Sequence, residues 1–232
     1  DQRMPETLPV DQQEVLKKDI FVSAFWGERY TQALQNAEVI FKTPGIPQTI
    51  PAVAQALDRG AKLHSHAQLF FELCEGTIIG ITGTKGKSTT SAVIHHVLKE
   101  NGLNTVFVGN IGQPALELLP KISADTLVVF ELSSHQLETM TLSPHISVVQ
   151  DVTSEHLDYY ANTMASRQAK TAIARFQKSS DFMIFNPQFS GALEIARLSN
   201  GRHLHCTLTE GPDAVVFVRN GVIHHRDTQE RI

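Results

Sequence analysis

Short apolar runs alternate with amphipathic stretches along most of the chain. Ile20-Phe21-Val22 and Val39-Ile40-Phe41 are apolar, bounded by polar segments, and read as short strands. Thr43-Pro44-Gly45-Ile46-Pro47 is a turn cluster directly after the second run. From Ile50 to Leu57 the apolar residues Ile50, Val53, Ala54 and Leu57 follow helical spacing, and Gly60 marks the stop. A second series begins near Gly76 with the buried-strand run Thr77 to Thr82. After a loop from Gly83 to Lys87, a helix is expected from Ser88 to about Asn101. It would carry Val93, Ile94, Val97 and Leu98 on one face, with Gly102 as its stop. Further strands are expected at Thr105–Val108, Thr126–Glu131, Ile146–Gln150 and Phe182–Phe185. Helical stretches between them include Ser166 to Arg175. Repeated strand–helix units imply a parallel sheet with right-handed crossovers. The last stretch differs. Ala214–Val218, Arg219-Asn220-Gly221 and Val222–Arg226 read as a hairpin turning at Asn-Gly.

Composition narrows the class. The chain has 232 residues, room for one large domain or two modest ones, and is 41% hydrophobic and 19% charged, as ordinary globular proteins are. No apolar run is long enough to cross a bilayer, and Asp1-Gln2-Arg3-Met4 lacks the features of a signal peptide. A formal charge of −4 argues against broad nucleic-acid binding. Cys74 and Cys206 form no disulfide framework and no zinc pattern, and are expected to be reduced thiols in a cytoplasmic protein. The chain opens without an initiator Met and stops directly after the hairpin. A piece of a longer protein is therefore the expectation.

The strongest local chemistry is Gly80-Ile-Thr-Gly83-Thr84-Lys85-Gly86-Lys87-Ser88-Thr89-Thr90, set between a strand and a helix. Glycines let backbone N–H groups converge on phosphate oxygens, and a helix N-terminus adds a field that favours an anion. Lys87 is placed to bridge terminal phosphates, and Ser88 to ligate the magnesium that accompanies ATP. Ile81 stands where the strict Walker spacing requires glycine, so only the shorter form of the motif is present.

Three later residues are weaker candidates. Glu131 ends an apolar strand run at the sheet edge where ligands bind, and is either a magnesium ligand or a surface carboxylate. His156 follows another strand end; a lone histidine is more often structural than a ligand. Lys170 by composition alone is a solvated surface lysine. His203-x-His205-Cys206 hints at metal, and the pairs His95-His96 and His224-His225 do not, because adjacent residues cannot place both rings on one face of their element.

Taken in order, several motifs resemble the Mur ligase family, and within it the D-glutamate-adding members. They are Asp1-Gln-Arg3-Met4, Thr43-Pro-Gly-Ile46, Gly80 to Thr90, Gly109-Asn-Ile-Gly112, Glu131-Leu-Ser-Ser-His-Gln-Leu-Glu138 and Thr153-Ser-Glu-His-Leu-Asp158. The resemblance implies an α/β fold: a partial Rossmann-like, UDP-binding domain over 1–75, then a partial ATP-binding central domain over 76–232. It implies that Asp1, Arg3, Thr43, Pro44 and Gly45 lie by the uridine part of the substrate, and Gly109 and Asn110 by its diphosphate. Gly83, Thr84, Lys85, Gly86, Lys87, Ser88, Thr89 and Thr90 would hold ATP. Lys87, Glu131, His156 and Lys170 would be catalytic. Ser88 and Glu131 would ligate one Mg2+, and His156 with a carbamylated Lys170 would serve a second. Lys85, His135, Asp151 and Tyr159 depart from the usual family residues without removing a catalytic group.

The implied reaction joins D-glutamate to UDP-N-acetylmuramoyl-L-alanine through an acyl phosphate, in peptidoglycan synthesis. Small molecules, not nucleic acid or membrane, would be the partners, and the protein a cytoplasmic monomer. A piece without the amino-acid-binding domain would not turn over by itself. The competing readings are another Mur or folylpolyglutamate-type ligase, and a phosphate-loop module without ligase chemistry.

Overall fold

In this computed structural model the described residues are Glu14, Ser23, Phe25 and the stretches 27–43, 50–109, 114–153 and 168–226. The chain divides into two compact units, residues 1–64 and 65–232. The expected strand at Ile20–Val22 lies outside the described residues.

In the first unit a 3-10 helix at Gly27–Leu34 is followed by β1 (Val39–Phe41), α1 (Pro51–Asp58) and β2 (Lys62–His64). Pro51 opens α1, where its missing N–H is no loss and its fixed φ suits a helix. Gly60 then turns the chain with φ 100°, and β2 pairs parallel to β1 from Val39↔Lys62 to Phe41↔His64. The sequence pattern did not signal β2, a short run with the alternation Lys-Leu-His.

The second unit opens with α2 (His66–Leu73). Its N-cap Ser65 accepts a hydrogen bond from the Gln68 N–H at 3.1 Å. There follow β3 (Thr77–Thr82), α3 (Lys87–Glu100), β4 (Thr105–Val108), and α4 (Ala115–Leu118), which runs on into a 3-10 turn at Leu119–Lys121. Next come β5 (Leu127–Glu131), α5 (Ser134–Leu137), β6 (Ile146–Val149), α6 (Ala172–Arg175), β7 (Phe182–Phe185) and α7 (Ser190–Ala196). Finally β8 (Arg202–Thr207), β9 (Ala214–Arg219) and β10 (Val222–His225) complete an eight-stranded sheet of order β10-β9-β8-β7-β6-β3-β5-β4. Every neighbouring pair is parallel except β9 and β10, the hairpin expected at Asn220-Gly221. Asn220 (φ 53°) and Gly221 (φ 75°) both take the left-handed region that such a two-residue turn requires.

The two faces of the central strands bury separate clusters, as alternation along a strand demands. Ile78, Val128 and Phe130 join one core, where Phe70 of α2 meets Phe130 edge-on at 5.3 Å. α2 thus packs in the core of the second unit, whereas the sequence reading placed it with the first. Ile79, Ile81 and Val129 face the other way and pack against Ile94 and Leu98 of α3. Val93 and Val97, expected on the same face, are instead 55% and 51% exposed. The two stripes lie side by side around the helix, and the sheet covers only one of them. Gly80 belongs to β3 because β3 passes tightly under the segment before β6: a Cβ there would collide with Pro144 Cγ.

The sheet order places β3 inside the sheet, third from the β4 edge. The chain leaves it for β4 at the edge, returns to β5, then passes β3 to reach β6. Such a reversal opens a crevice at the C-terminal ends of the strands, and the phosphate loop follows β3 at that point.

Candidate functional site

The loop begins where β3 ends. Thr82 Oγ1 donates to the Leu132 carbonyl at 2.8 Å, tying the last residue of β3 to the chain just beyond β5. Gly86 adopts φ 81° as the N-cap of α3, a conformation that side chains disfavour. The first turn of α3 contains no acidic residue, and no side chain caps it. Its leading N–H groups and the positive end of the helix are therefore arranged to receive an anion. Lys87 Nζ donates to the carbonyls of Gly83 at 2.9 Å and Thr84 at 3.0 Å, so the ammonium lies over its own loop. Lys85, Ser88 and Thr89 are exposed, and Thr84 and Thr90 half-buried.

The loop is fastened to the chain after β6. The Thr84 N–H donates to the Asp151 carbonyl at 2.8 Å. Thr84 Oγ1 accepts from the Thr153 N–H at 2.9 Å and itself donates to the Thr153 carbonyl at 3.1 Å.

Glu131 is the last residue of β5, in register with Ile81. Two residues after Val129, it shares that residue's face of the sheet, the face that α3 covers. Its side chain therefore lies on the same side of the sheet as Lys87 and Ser88. Glu131 is only 3% exposed, so the surface-carboxylate alternative is corrected. One of its oxygens, Oε2, is buried with no hydrogen-bond partner among the described residues. A buried carboxylate oxygen left unmet is costly, and a hard cation satisfies it well. With the Ser88 hydroxyl at the head of α3, the donors fit Mg2+. Gly109 stands beside Glu131: a Cβ on Gly109 would fall 2.8 Å from Glu131 Cβ. The structure thus brings together two residues expected in different roles.

Lys170 corrects the reading from composition. It is 0% exposed, in a helical turn at 168–170 whose neighbours Ala169, Ala172, Ile173 and Ala174 are also buried. The helix expected to run through to Arg175 is interrupted at Thr171, whose N–H and hydroxyl both turn back to the Gln168 carbonyl at 3.1 and 2.7 Å. A cleft of about 300 Å3 separates this segment from the end of α5 and is lined in part by Glu138, Gln168 and Arg175. Thr43 is exposed, two residues beyond β1 in the first unit. Asp1, Arg3, Pro44, Gly45, Asn110 and His156 lie outside the described residues.

His203 and His205 have a packing role. Both meet the Phe185 ring edge-on, at 5.5 and 4.9 Å between centroids. Gln150 has no place in the motif reading, where it was only the end of a strand run. It proves to lie directly against the loop.

Comparison with known proteins agrees with this geometry. Residues 81–230 match the Mur ligase middle domain, more than half of the chain. The UDP-N-acetylmuramoylalanine–D-glutamate ligase of Symbiobacterium thermophilum is 40% identical over 160 residues, covering 69% of this chain and 35% of that protein. The protein of the same name from Clostridium kluyveri is 34% identical over 186 residues, covering 80% of this chain and 40% of the relative. The chain thus spans roughly a third to two-fifths of the length of these curated relatives. Among solved structures, a murein peptide ligase from Psychrobacter arcticus shares the fold, with a TM-score of 0.55 at 14% identity over 86% of this chain and 48% of that one. A glycine-bearing loop at the head of α3, a buried acid at the same sheet edge and a match over most of the second unit agree: the chain belongs to the Mur ligase family.

Proposed function

We propose that this chain carries the ATP-binding part of a ligase that joins D-glutamate to UDP-N-acetylmuramoyl-L-alanine in peptidoglycan synthesis. The observation that carries the reading is Glu131. It presents an unmet, buried carboxylate oxygen at the sheet edge from which the phosphate loop emerges. The names of the relatives supply the substrates.

A carboxylate is a poor electrophile, and its oxygen a poor leaving group. Transfer of the γ-phosphoryl group of ATP to the substrate carboxylate corrects the second problem. The amine of D-glutamate then attacks the acyl carbon, phosphate departs with the bonding electrons, and an amide remains. Charge on the moving phosphoryl group is the main obstacle, so placed donors do most of the work. Here the N–H groups of Lys85 to Thr89 would surround the phosphates, those of Thr84 and Thr90 being bonded to the Asp151 and Gly86 carbonyls. Lys87 exchanges its bonds to the Gly83 and Thr84 carbonyls for bonds to phosphate oxygens. Ser88 and Glu131 hold one Mg2+, which supplies charge neutralisation and phosphate alignment when bound.

A second Mg2+ site falls to His156 and Lys170, with Lys170 carbamylated. The full burial of Lys170 supports a role other than solvation of a surface charge. In the same reading the first unit, residues 1–64, belongs to a UDP-binding domain and the second, residues 65–232, to the ATP-binding domain. Asp1, Arg3, Thr43, Pro44 and Gly45 meet the uridine moiety, and Gly109 and Asn110 its diphosphate. The enzyme is a cytoplasmic monomer acting on small molecules.

The test is phosphate release from ATP by the protein that carries this chain. Release that depends on UDP-N-acetylmuramoyl-L-alanine and D-glutamate together is the expected result. Stimulation by the tripeptide-stage precursor instead would overturn the substrate assignment. Loss of ATP binding in Lys87→Ala is expected too, and unchanged affinity would remove Lys87 from the phosphate site.

A further inference from the structure

Gln150 follows β6 and sits where the phosphate loop, β3 and α3 meet. Its N–H donates to the Thr82 carbonyl at 3.0 Å, which fixes its backbone beside the last residue of β3. Its side chain turns under the loop. A Cβ on Gly83 would fall 2.8 Å from Gln150 Cβ, and one on Gly86 would fall 3.0 Å from Gln150 Oε1. The far end of the same amide donates from Nε2 to Thr90 Oγ1 in the first turn of α3. Oε1 itself is buried with no hydrogen-bond partner among the described residues.

We propose that Gln150 is a positioning residue for the phosphate loop. It sets the spacing between loop and helix so that their N–H groups converge on one triphosphate. The proposal rests on the ATP-binding reading given above. Four features support it. The side chain props the loop at two of its glycines, so the loop follows where Gln150 puts it. The bond to Thr90 ties the helix to the same side chain that props the loop, so loop and helix are referred to a single point at the end of β6. A neutral amide does this without placing a negative charge near phosphate. Finally, a buried acceptor left unmet is disfavoured, so filling volume alone would be served better by an apolar side chain of similar size.

The test is the affinity of the chain for ATP with Mg2+, measured by titration calorimetry. Wild type is compared with Gln150→Leu, Thr90→Val, the double variant, and Lys87→Ala as a reference. Gln150→Leu keeps the bulk and removes the amide; Thr90→Val removes the other end of the same bond. Each single change is expected to raise Kd about tenfold, the effect of one lost hydrogen bond. The double variant is expected to lie within about twofold of the weaker single variant, because both remove one interaction. A general loss of packing would not produce that coupling. Should Gln150→Leu fail to fold, Gln150→Met, which also keeps bulk without the amide, takes its place in the cycle with the same tenfold expectation. Singles within about twofold of wild type while Lys87→Ala loses binding would overturn the positioning role and leave the ATP-binding reading standing. A double variant near the product of the singles, about a hundredfold, would also overturn it. Wild type that binds no ATP would overturn both.

Discussion

Glu131 and Gly109 show how little room the sheet edge leaves. The Gly109 backbone lies so near Glu131 that a methyl group at Gly109 would press on the Glu131 Cβ and displace the side chain it carries. Gly109→Ala is therefore expected to weaken ATP binding several-fold in Mg2+ and to leave binding in excess chelator unchanged. Titrations under the two conditions check this. The cysteines illustrate the opposite kind of residue, one whose chemistry the fold suppresses. Burial pushes the thiols of Cys206 and Cys74 above the usual thiol range. A raised pKa leaves less thiolate at a given pH, and thiolate is the nucleophile. Both should react with a disulfide reagent more slowly than a free thiol at pH 8. The rate should still be climbing with pH where that of a free thiol has levelled, and a rate–pH profile reads it directly.

Individual elements depend on local signals of different strength. Ser65 caps α2, and Ser133 with Gln136 forms a reciprocal capping box at α5, with bonds of 3.3 and 2.9 Å. Ser65→Ala should lower stability by about 1 kcal/mol, measured as a fall in denaturant midpoint. Gly221→Val should also destabilise, because a β-branched residue at φ 75° is strained. Cooperative unfolding with an unchanged midpoint would show that the hairpin turn contributes nothing. The strand runs and the phosphate loop were legible because their information is local. An apolar run of four to six residues favours a strand wherever the sheet covers it, and glycine, lysine and serine announce a loop at fixed spacing. Ser65-x-x-Gln68 is an equally local signal, a capping serine with its partner three residues on. Burial of Lys170 was not legible, since it depends on which side of a short, interrupted helix the sheet covers. Nor was Gln150. Its partner Thr90 lies 60 residues earlier, and only the passage of the chain from β5 across β3 to β6 brings them together.

For the molecule as a whole, the proposed ATP site is built from residues of the second unit alone. Ligand that binds only the folded state stabilises it, by about 2.7 kcal/mol at a concentration a hundredfold above Kd. ATP with Mg2+ should therefore raise the unfolding midpoint of the 65–232 unit, followed through near-ultraviolet signals and amide exchange in β3 and β5. Exchange in β1 and β2 should stay as it was. Equal protection of β1 and β2 would mean that ATP engages the first unit as well. No helix among the described residues is long and apolar enough to cross a membrane.

The paired bonds between Thr84 and Thr153 have a mechanical meaning. A loop that grips phosphate cannot shift without pulling on the residue that follows it through two hydrogen bonds on one hydroxyl. Any shift of Thr84 is therefore felt at Thr153, just beyond β6. Two bonds on one hydroxyl make a stiff tether, so the loop and the end of the β6 segment behave as one piece instead of two.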